Sequence, residues 1–292
     1  MSWLQVHIVT IQEKAFLAEL LLEGLQAVSV TMTDAEDHPV LETDPGEVRL
    51  WPHTCVTGLF TSDTDPDWLI KAVRNGMEKD VVKSIQLETL KDQVWERVWM
   101  DHFHPMQFGK KLWIRPTGGV IEQPDAVIVE LDPGLAFGTG THPTTALCLE
   151  WLDAHPPTGQ KVIDWGCGSG ILAIAALKLG ATNVIGIDHD SQALLSSRDN
   201  AITNGVSERL QVLGSDENPV EPANLMMANI LSEVLIKLEG QLAENTVSGG
   251  AIILSGILEE QAESVIQAFQ PHFHLSTPIT KDGWVLIEGS RL

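Results

Sequence analysis

The feature that most constrains this chain is the stretch 161–177, in which an apolar strand pattern, a glycine-rich turn and an apolar helix pattern follow one another. Glycine occupies every second position of the turn, at Gly166, Gly168 and Gly170. Glycine adopts positive φ at little steric cost and lets a ligand approach the backbone closely. The stretch therefore predicts a βα unit of an open α/β sheet, with the first N–H groups of its helix facing the space above the turn.

Two carboxylates indicate which ligand this turn suits. A dinucleotide fingerprint is G-x-G-x-x-G with a pyrophosphate at the helix N-terminus, whereas the pattern here is D-x-G-x-G-x-G, beginning at Asp164. An acid at that position repels a pyrophosphate but suits S-adenosylmethionine (SAM), which carries an ammonium and a sulfonium. Asp188 ends the next apolar run, where a carboxylate can accept hydrogen bonds from both ribose hydroxyls. We therefore predict that SAM contacts Asp164, Gly166, Gly168 and Asp188; the alternative is a tight turn without a ligand.

Strand and helix patterns continue after this turn. Strands are predicted at 210–213, 225–231 and 251–255, and helices at 191–204, 231–244 and 258–269. The patterns at 272–277 and 284–288 have no helix between them, which predicts an antiparallel pair. Five βα units closed by such a pair are typical of a Rossmann-like methyltransferase sheet, mostly parallel with its last strand antiparallel. Asn229 ends the fourth strand, where ligands bind in open α/β sheets.

The leading residues carry a separate pattern, β-α-β-β-α-β, which predicts a small α+β ferredoxin-like domain. In its first helix, 14–27, we expect one buried apolar stripe. The residues of that stripe are Phe16, Leu17, Leu20, Leu21 and Leu25. A polar helix pattern follows. The predicted organisation is a substrate-recognition domain at 1–90, a linker helix at 91–105 and a methyltransferase domain at 106–292.

A loop of unusual composition, 131–145, directly precedes the cofactor strand. Its hydroxyls and free amides favour a lid over the cofactor, which would place Phe137, Thr139 and Gly140 in the site; a surface Ω-loop is the alternative. Thr144 or Thr145 is predicted to cap the helix that follows. His142 could accept a proton, although a single loop histidine is more often structural.

Composition limits the partners of the chain. The chain has 40 acids and 18 bases, a net charge of −22, so we expect no direct nucleic-acid binding, which usually needs a basic surface. Three scattered cysteines indicate neither a disulfide framework nor a metal site. The N-terminus is unlike a signal peptide, and no apolar run reaches about 18 residues. We therefore expect a cytoplasmic monomer without a membrane segment.

Three motifs resemble the PrmA family, whose members methylate the eleventh protein of the large ribosomal subunit. They are D-P-G-L-A-F-G-T-G-T-H-P-T-T at 132–145, D-W-G-C-G-S-G-I-L at 164–172 and A-N-I-L at 228–231. The resemblance covers essentially the whole chain. It implies that Thr145, Gly166, Asp188 and Asn229 contact SAM, and that the first domain docks the ribosomal protein.

The implied activity is transfer of methyl groups from SAM to lysine or N-terminal amines of that ribosomal protein. The A-N-I-L motif stands where other amino methyltransferases carry N-P-P-Y, which supports a nitrogen nucleophile and makes Asn229 a candidate catalytic residue. His142, as the possible proton acceptor of the loop, is a second candidate. Three alternatives stay open: a small-molecule N-methyltransferase, a non-catalytic SAM-binding factor and an NAD-dependent Rossmann oxidoreductase.

Overall fold

The computed structural model describes residues 2–36, 50–78, 81–91, 104–131, 141–217 and 221–292. The chain divides into two compact units, residues 1–94 and 95–292. The predicted linker helix falls mostly outside the described residues; its first residue, Lys91, ends a strand. The boundaries 1–90, 91–105 and 106–292 therefore stay a prediction.

The first unit has the ferredoxin-like arrangement that its sequence pattern predicts. Its elements are β1 (Ser2–Ile11), α1 (Ala15–Gly24), β2 (Ser29–Asp34), β3 (His53–Thr61), α2 (Pro66–Gly76) and β4 (Val82–Lys91). The strands lie in the order β2-β3-β1-β4, and every neighbouring pair is antiparallel. Asp65 begins α2 as its N-cap and accepts a 2.9 Å hydrogen bond from Asp67 N.

Helix α1 buries only part of the stripe that we predicted, since Leu21 and Leu25 pack half-buried against the core of the unit. Its fully buried residues are Ala15, Ala18 and Leu22. The side chains of Phe16, Leu17 and Leu20 are 50%, 42% and 64% exposed. The helix has more apolar residues than one face can bury. Two of its three buried residues are alanines, which fits a close approach of the helix to the sheet. That approach is visible at Gly58 of β3, where an added Cβ would lie 3.2 Å from Leu22 Cδ1.

The second unit contains the large sheet. Its first elements are β5 (Met106–Phe108), β6 (Leu112–Arg115), β7 (Val127–Glu130), α3 (Pro143–Ala154), β8 (Lys161–Trp165), α4 (Ile171–Lys178), β9 (Asn183–Asp188) and α5 (Ser191–Thr203). Then come β10 (Leu210–Gly214), β11 (Ala223–Asn229), α6 (Ser232–Glu244), β12 (Thr246–Leu258), α7 (Ala262–Phe269), β13 (Phe273–Leu275), β14 (Ile279–Lys281) and β15 (Trp284–Arg291).

The strands of this sheet lie in the order β10-β9-β8-β11-β12-β15-β13, with β14 paired to β15 and with β5, β6 and β7 in a separate small sheet. Strands β8 to β12 are parallel, and β15 is antiparallel to β12. The predicted fold class, a Rossmann-like methyltransferase sheet with an antiparallel last strand, is therefore confirmed.

Helices on both faces bury this sheet. On one face, α3, α4 and α5 pack on alternate strand residues such as Val162 and Leu225. On the other face, α6 and α7 pack on Ile163 and Met226. Strands buried on both sides form near-continuous apolar runs, which is why the sequence pattern located them. None of the described helices is long and apolar enough to span a bilayer.

Two details of this unit differ from expectation. Strand β12 begins at Thr246 and ends at Leu258, beyond both ends of the predicted 251–255. The short strand β14 was not predicted. It forms a hairpin with β15 through Asp282 and Gly283, at φ of 50° and 79°. An Asp-Gly pair between two strands is a strong hairpin signal, so the sequence contained this information.

Candidate active site

The order of the sheet reverses at β8, and this reversal creates a crevice. Strands β9 and β11 flank β8 on opposite sides. Helix α4, which follows β8, and helix α6, which follows β11, pack on opposite faces of the sheet. In open α/β sheets, ligands bind at the carboxyl ends of the strands at such a point. The glycine turn and Asn229 both lie there, since Trp165 pairs with Ala228.

The three glycines of the turn are required by its backbone. Gly166, Gly168 and Gly170 have φ of 76°, 54° and 79°, a region that other residues adopt only with strain. A Cβ on Gly166 would overlap the Ile230 side chain. Helix α5 braces the turn from below, where Ser197 Oγ donates to Gly168 O at 2.8 Å. The turn is therefore a rigid platform.

Several N–H groups that we expected to face a ligand are bound within the chain. Gly168 N donates to Asp188 Oδ2 at 2.9 Å, and Ala173 N, in the first turn of α4, donates to Asp164 Oδ2 at 3.0 Å. Gly166 N donates to Ile187 O at 2.7 Å. A pyrophosphate needs such donors free at a helix N-terminus. Here two of these N–H groups already donate to carboxylates, which argues against a dinucleotide ligand.

Asp188 is held at the tip of β9 in one orientation. Its Oδ2 accepts from Gly168 N and its Oδ1 accepts from Asp190 N at 3.0 Å. The residue is 9% exposed. Each carboxylate oxygen can accept more than one hydrogen bond, so both oxygens can still receive a ribose hydroxyl. This geometry fits the predicted role.

Asp164 is buried with one oxygen unsatisfied. The residue is 1% exposed, and within the described part of the chain its Oδ1 has no hydrogen-bond partner. Burial raises the pKa of Asp164 to about 7, the Ala173 amide opposes this, and the charge of Asp188 adds to it. Burial, and secondly Asp164, raise the pKa of the thiols of Cys148 and Cys167. A buried carboxyl group with a free oxygen fits a cationic ligand.

Asn229 and Thr145 meet across the crevice. Asn229 Nδ2 donates to Thr145 Oγ1 at 3.3 Å, and Thr145 is 4% exposed. Thr145 lies in the first turn of α3, so this hydrogen bond joins the end of β11 to the start of a helix. The side-chain nitrogen of Asn229 thus donates to Thr145, while its side-chain oxygen can accept a hydrogen bond from a ligand.

His142 is the N-cap of α3, where we had predicted Thr144 or Thr145. Its Nδ1 accepts from Thr144 N at 3.4 Å and lies 2.8 Å from Thr144 Oγ1. Thr144 and Thr145 lie inside the helix, so neither is the N-cap, and both are buried. Partial burial lowers the pKa of His142. The cap prediction was therefore wrong about the residue, although it located the helix.

The structure brings most of the predicted site residues to one edge of the sheet. Phe137, Thr139 and Gly140 lie outside the described residues. The sequence did not reveal Ile230, which packs on Gly166, or the Ala173 amide, since both act through the tertiary fold. No group of three or more metal-ligating side chains occurs among the described residues.

The sheet order, the antiparallel last strand and the acid–glycine turn define a class I SAM-dependent methyltransferase. The residues present fit SAM, because the orphaned Asp164 oxygen matches a cation and the fixed Asp188 carboxylate matches a ribose. In the same turn, the Gly168 and Ala173 N–H groups already donate to carboxylates rather than facing a pyrophosphate. The NAD-dependent alternative is therefore disfavoured by geometry as well as by topology.

Comparison with known proteins gives the family. The sequence model of "Ribosomal protein L11 methyltransferase (PrmA)" matches residues 2–291. Proteins named ribosomal protein L11 methyltransferase are 51% identical in Hahella chejuensis, over 100% of this chain and 99% of that protein, and 49% identical in Mannheimia succiniciproducens, over 99% of each. This chain belongs to the PrmA family, and the resemblance noted in its sequence is confirmed.

A solved structure agrees with this assignment. The crystal structure of ribosomal protein L11 methylase from Lactobacillus delbrueckii subsp. bulgaricus is 32% identical and has a TM-score of 0.60. The match covers 65% of this chain and 99% of that chain. This likeness supports the methyltransferase fold described above.

Proposed function

We propose that this protein transfers methyl groups from SAM to lysine and N-terminal amines of ribosomal protein L11. The observation that carries the proposal is the crevice at the carboxyl ends of β8, β9 and β11, which carry two carboxylates suited to SAM and an amide suited to an amine. The names of the relatives supply the acceptor protein. The net charge of −22 is complementary to a basic acceptor.

Four residues would hold the cofactor. Asp188 would receive the ribose hydroxyls, and Asp164 Oδ1 would face the ammonium group. Gly166 and Gly168 would let the ligand lie against the backbone, since neither carries a Cβ. SAM, when bound, supplies a methyl group already activated by its sulfonium. Positioning of the acceptor is then most of the work that the protein performs.

Asn229 would orient the acceptor amine. Its Nδ2 is bound to Thr145 Oγ1 at 3.3 Å, so its Oδ1 is left to accept an N–H of the nucleophile. An amine held in this way keeps its lone pair for the methyl carbon. Thr145, buried in the first turn of α3, fixes the amide plane.

The nucleophile must be neutral. A lysine ammonium has a pKa of about 10.4, so only about one amine in 2,500 is neutral at pH 7. Transfer into a crevice beside a sulfonium disfavours a second positive charge and lowers that pKa. The role of His142 as a proton acceptor stays a prediction. Its Nδ1 already accepts a hydrogen bond as the N-cap of α3. Desolvation of the amine is therefore the main means of activation in this proposal.

The first domain, 1–90, would dock the ribosomal protein, and residues 91–105 would link it to the methyltransferase domain. This division explains why the first unit carries a complete fold but no chemical motif of its own. A monomer in the cytoplasm is sufficient for this activity, because one chain contains both the docking unit and the site. No contact with nucleic acid is required by it.

The decisive assay is methyl transfer from labelled SAM to free L11, to whole unmethylated ribosomes and to small amines. Asn229→Ala should fold normally but lose at least about 100-fold in turnover, because it removes the orienting amide. The matched control is Asn183→Ala. Asn183 is an exposed asparagine that begins β9, at the edge of the sheet opposite to the site. Labelled L11 with wild type and control supports the proposal. Label only in small amines would indicate a small-molecule N-methyltransferase, and SAM binding without any transfer would indicate a binding factor.

A further inference from the structure

The N-terminus of α3 is attached to the β14–β15 hairpin. The ring centroids of His142 and Trp284 are 4.7 Å apart, at an interplanar angle of 70°. Further along the helix, Lys281 Nζ pairs with Glu150 at 2.6 Å, and Trp151 Nε1 donates to Glu288. An edge-to-face aromatic contact is favourable and orients both rings. The hairpin therefore fixes the helix at its first turn as well as along its length.

Two contacts attach His142 to the first turn of α3. Its Nδ1 lies 2.8 Å from Thr144 Oγ1 and 3.4 Å from Thr144 N. The Thr144 hydroxyl can donate or accept, so the ring is held in either neutral tautomer. A displacement of the ring would therefore displace the first turn of the helix.

Trp284 lies at the edge of the sheet that carries the site. It begins β15 and pairs with Leu258, the last residue of β12. Asn229, the last residue of β11, pairs with Ser255 of the same strand. Trp284 is thus placed to act on the first turn of α3, which also carries Thr145.

We propose that Trp284 is a positioning residue, which through its ring contact with His142 keeps Thr145 in register with Asn229. Only the expected loss of methyl transfer rests on the proposed function. Glu150 and Lys281 form an ion pair further along the helix. The Trp284 ring is the hairpin group that contacts the N-cap residue itself.

Two measurements test this. Side-chain amide signals in ¹⁵N-labelled full-length protein report the Asn229–Thr145 hydrogen bond. Trp284→Ala should shift the Asn229 signal toward that of a free amide, and Trp284→Phe should restore it. In methyl transfer, Trp284→Ala should lower kcat about tenfold, a loss typical of misplaced groups, with less than a threefold change in Kd for S-adenosylhomocysteine. Trp284→Phe should recover to within about threefold of wild type.

A double-mutant cycle completes the test. His142→Ala should mimic Trp284→Ala, and the double variant should be no slower than either, because the two act as one unit. Ile279→Ala, an exposed residue of the same hairpin, is the control for general loosening. Additive losses, or an Asn229 amide signal that Trp284→Ala leaves unchanged, would overturn the proposal. The amide signal decides it even if L11 proves not to be the acceptor.

Discussion

Asp164→Asn should remove a large part of the pH dependence of the stability of the methyltransferase unit. Burial raises the pKa of Asp164 from 3.8 to about 7. Because this folded-state pKa lies above the unfolded one, the folded protein holds a proton that the unfolded chain releases. The free energy of unfolding therefore falls as the pH rises from about 4 to about 7.

The magnitude follows from the two pKa values. One pKa unit corresponds to about 1.4 kcal/mol, and the interval from pH 5 to pH 7 spans two such units. The wild-type protein should lose about 3 kcal/mol between pH 5 and pH 8 from this group alone. Asparagine keeps the shape and the bond from Ala173 N but does not titrate. Its unpaired amide would cost about 1–3 kcal/mol, equally at every pH, so the slope is unaffected.

The assay is thermal unfolding of ligand-free protein from pH 5 to pH 8. For a unit of this size 1 kcal/mol shifts Tm by about 2–4 °C. The gap between wild type and variant should therefore change by about 6–12 °C across the range, in favour of the variant at high pH. Asp199→Asn, an exposed aspartate on α5, is the matched control and should run parallel to wild type. If Asp164→Asn also runs parallel to wild type, Asp164 is ionised throughout and the reasoning is wrong.

Two further predictions concern the turn. Asp188→Ala should weaken SAM binding at least about tenfold in calorimetry, since it removes the acceptor of two ribose hydroxyls; an unchanged Kd would contradict the ribose role. Gly166→Ala should destabilise the protein by roughly 2–4 kcal/mol in urea unfolding, because its Cβ overlaps Ile230 at a φ of 76°. Gly159→Ala has the same φ and open space around it, so it should lose only about 1 kcal/mol; equal losses would show that strain alone matters at Gly166.

The sequence by itself determined the order of the elements and the edge of the sheet at which the site lies. Strands buried on both faces are continuous apolar runs, and a polar residue that ends such a run must lie at a strand tip. Asp164, Asp188 and Asn229 were found in this way, because each signal is local. The family motifs were equally visible, since each is a run of neighbouring residues.

Three properties of the protein depend on packing between distant elements and are absent from any local sequence pattern. Which face of α1 is buried depends on how closely the helix approaches Gly58, so the exposed positions of Phe16 and Leu20 could not be read from periodicity. The pKa of Asp164 depends on surroundings supplied by distant strands. The contact of His142 with Trp284 joins residues far apart in the chain. Burial, partner choice and ring contacts arise only when separate elements pack, which is why they belong to the fold rather than to the sequence pattern.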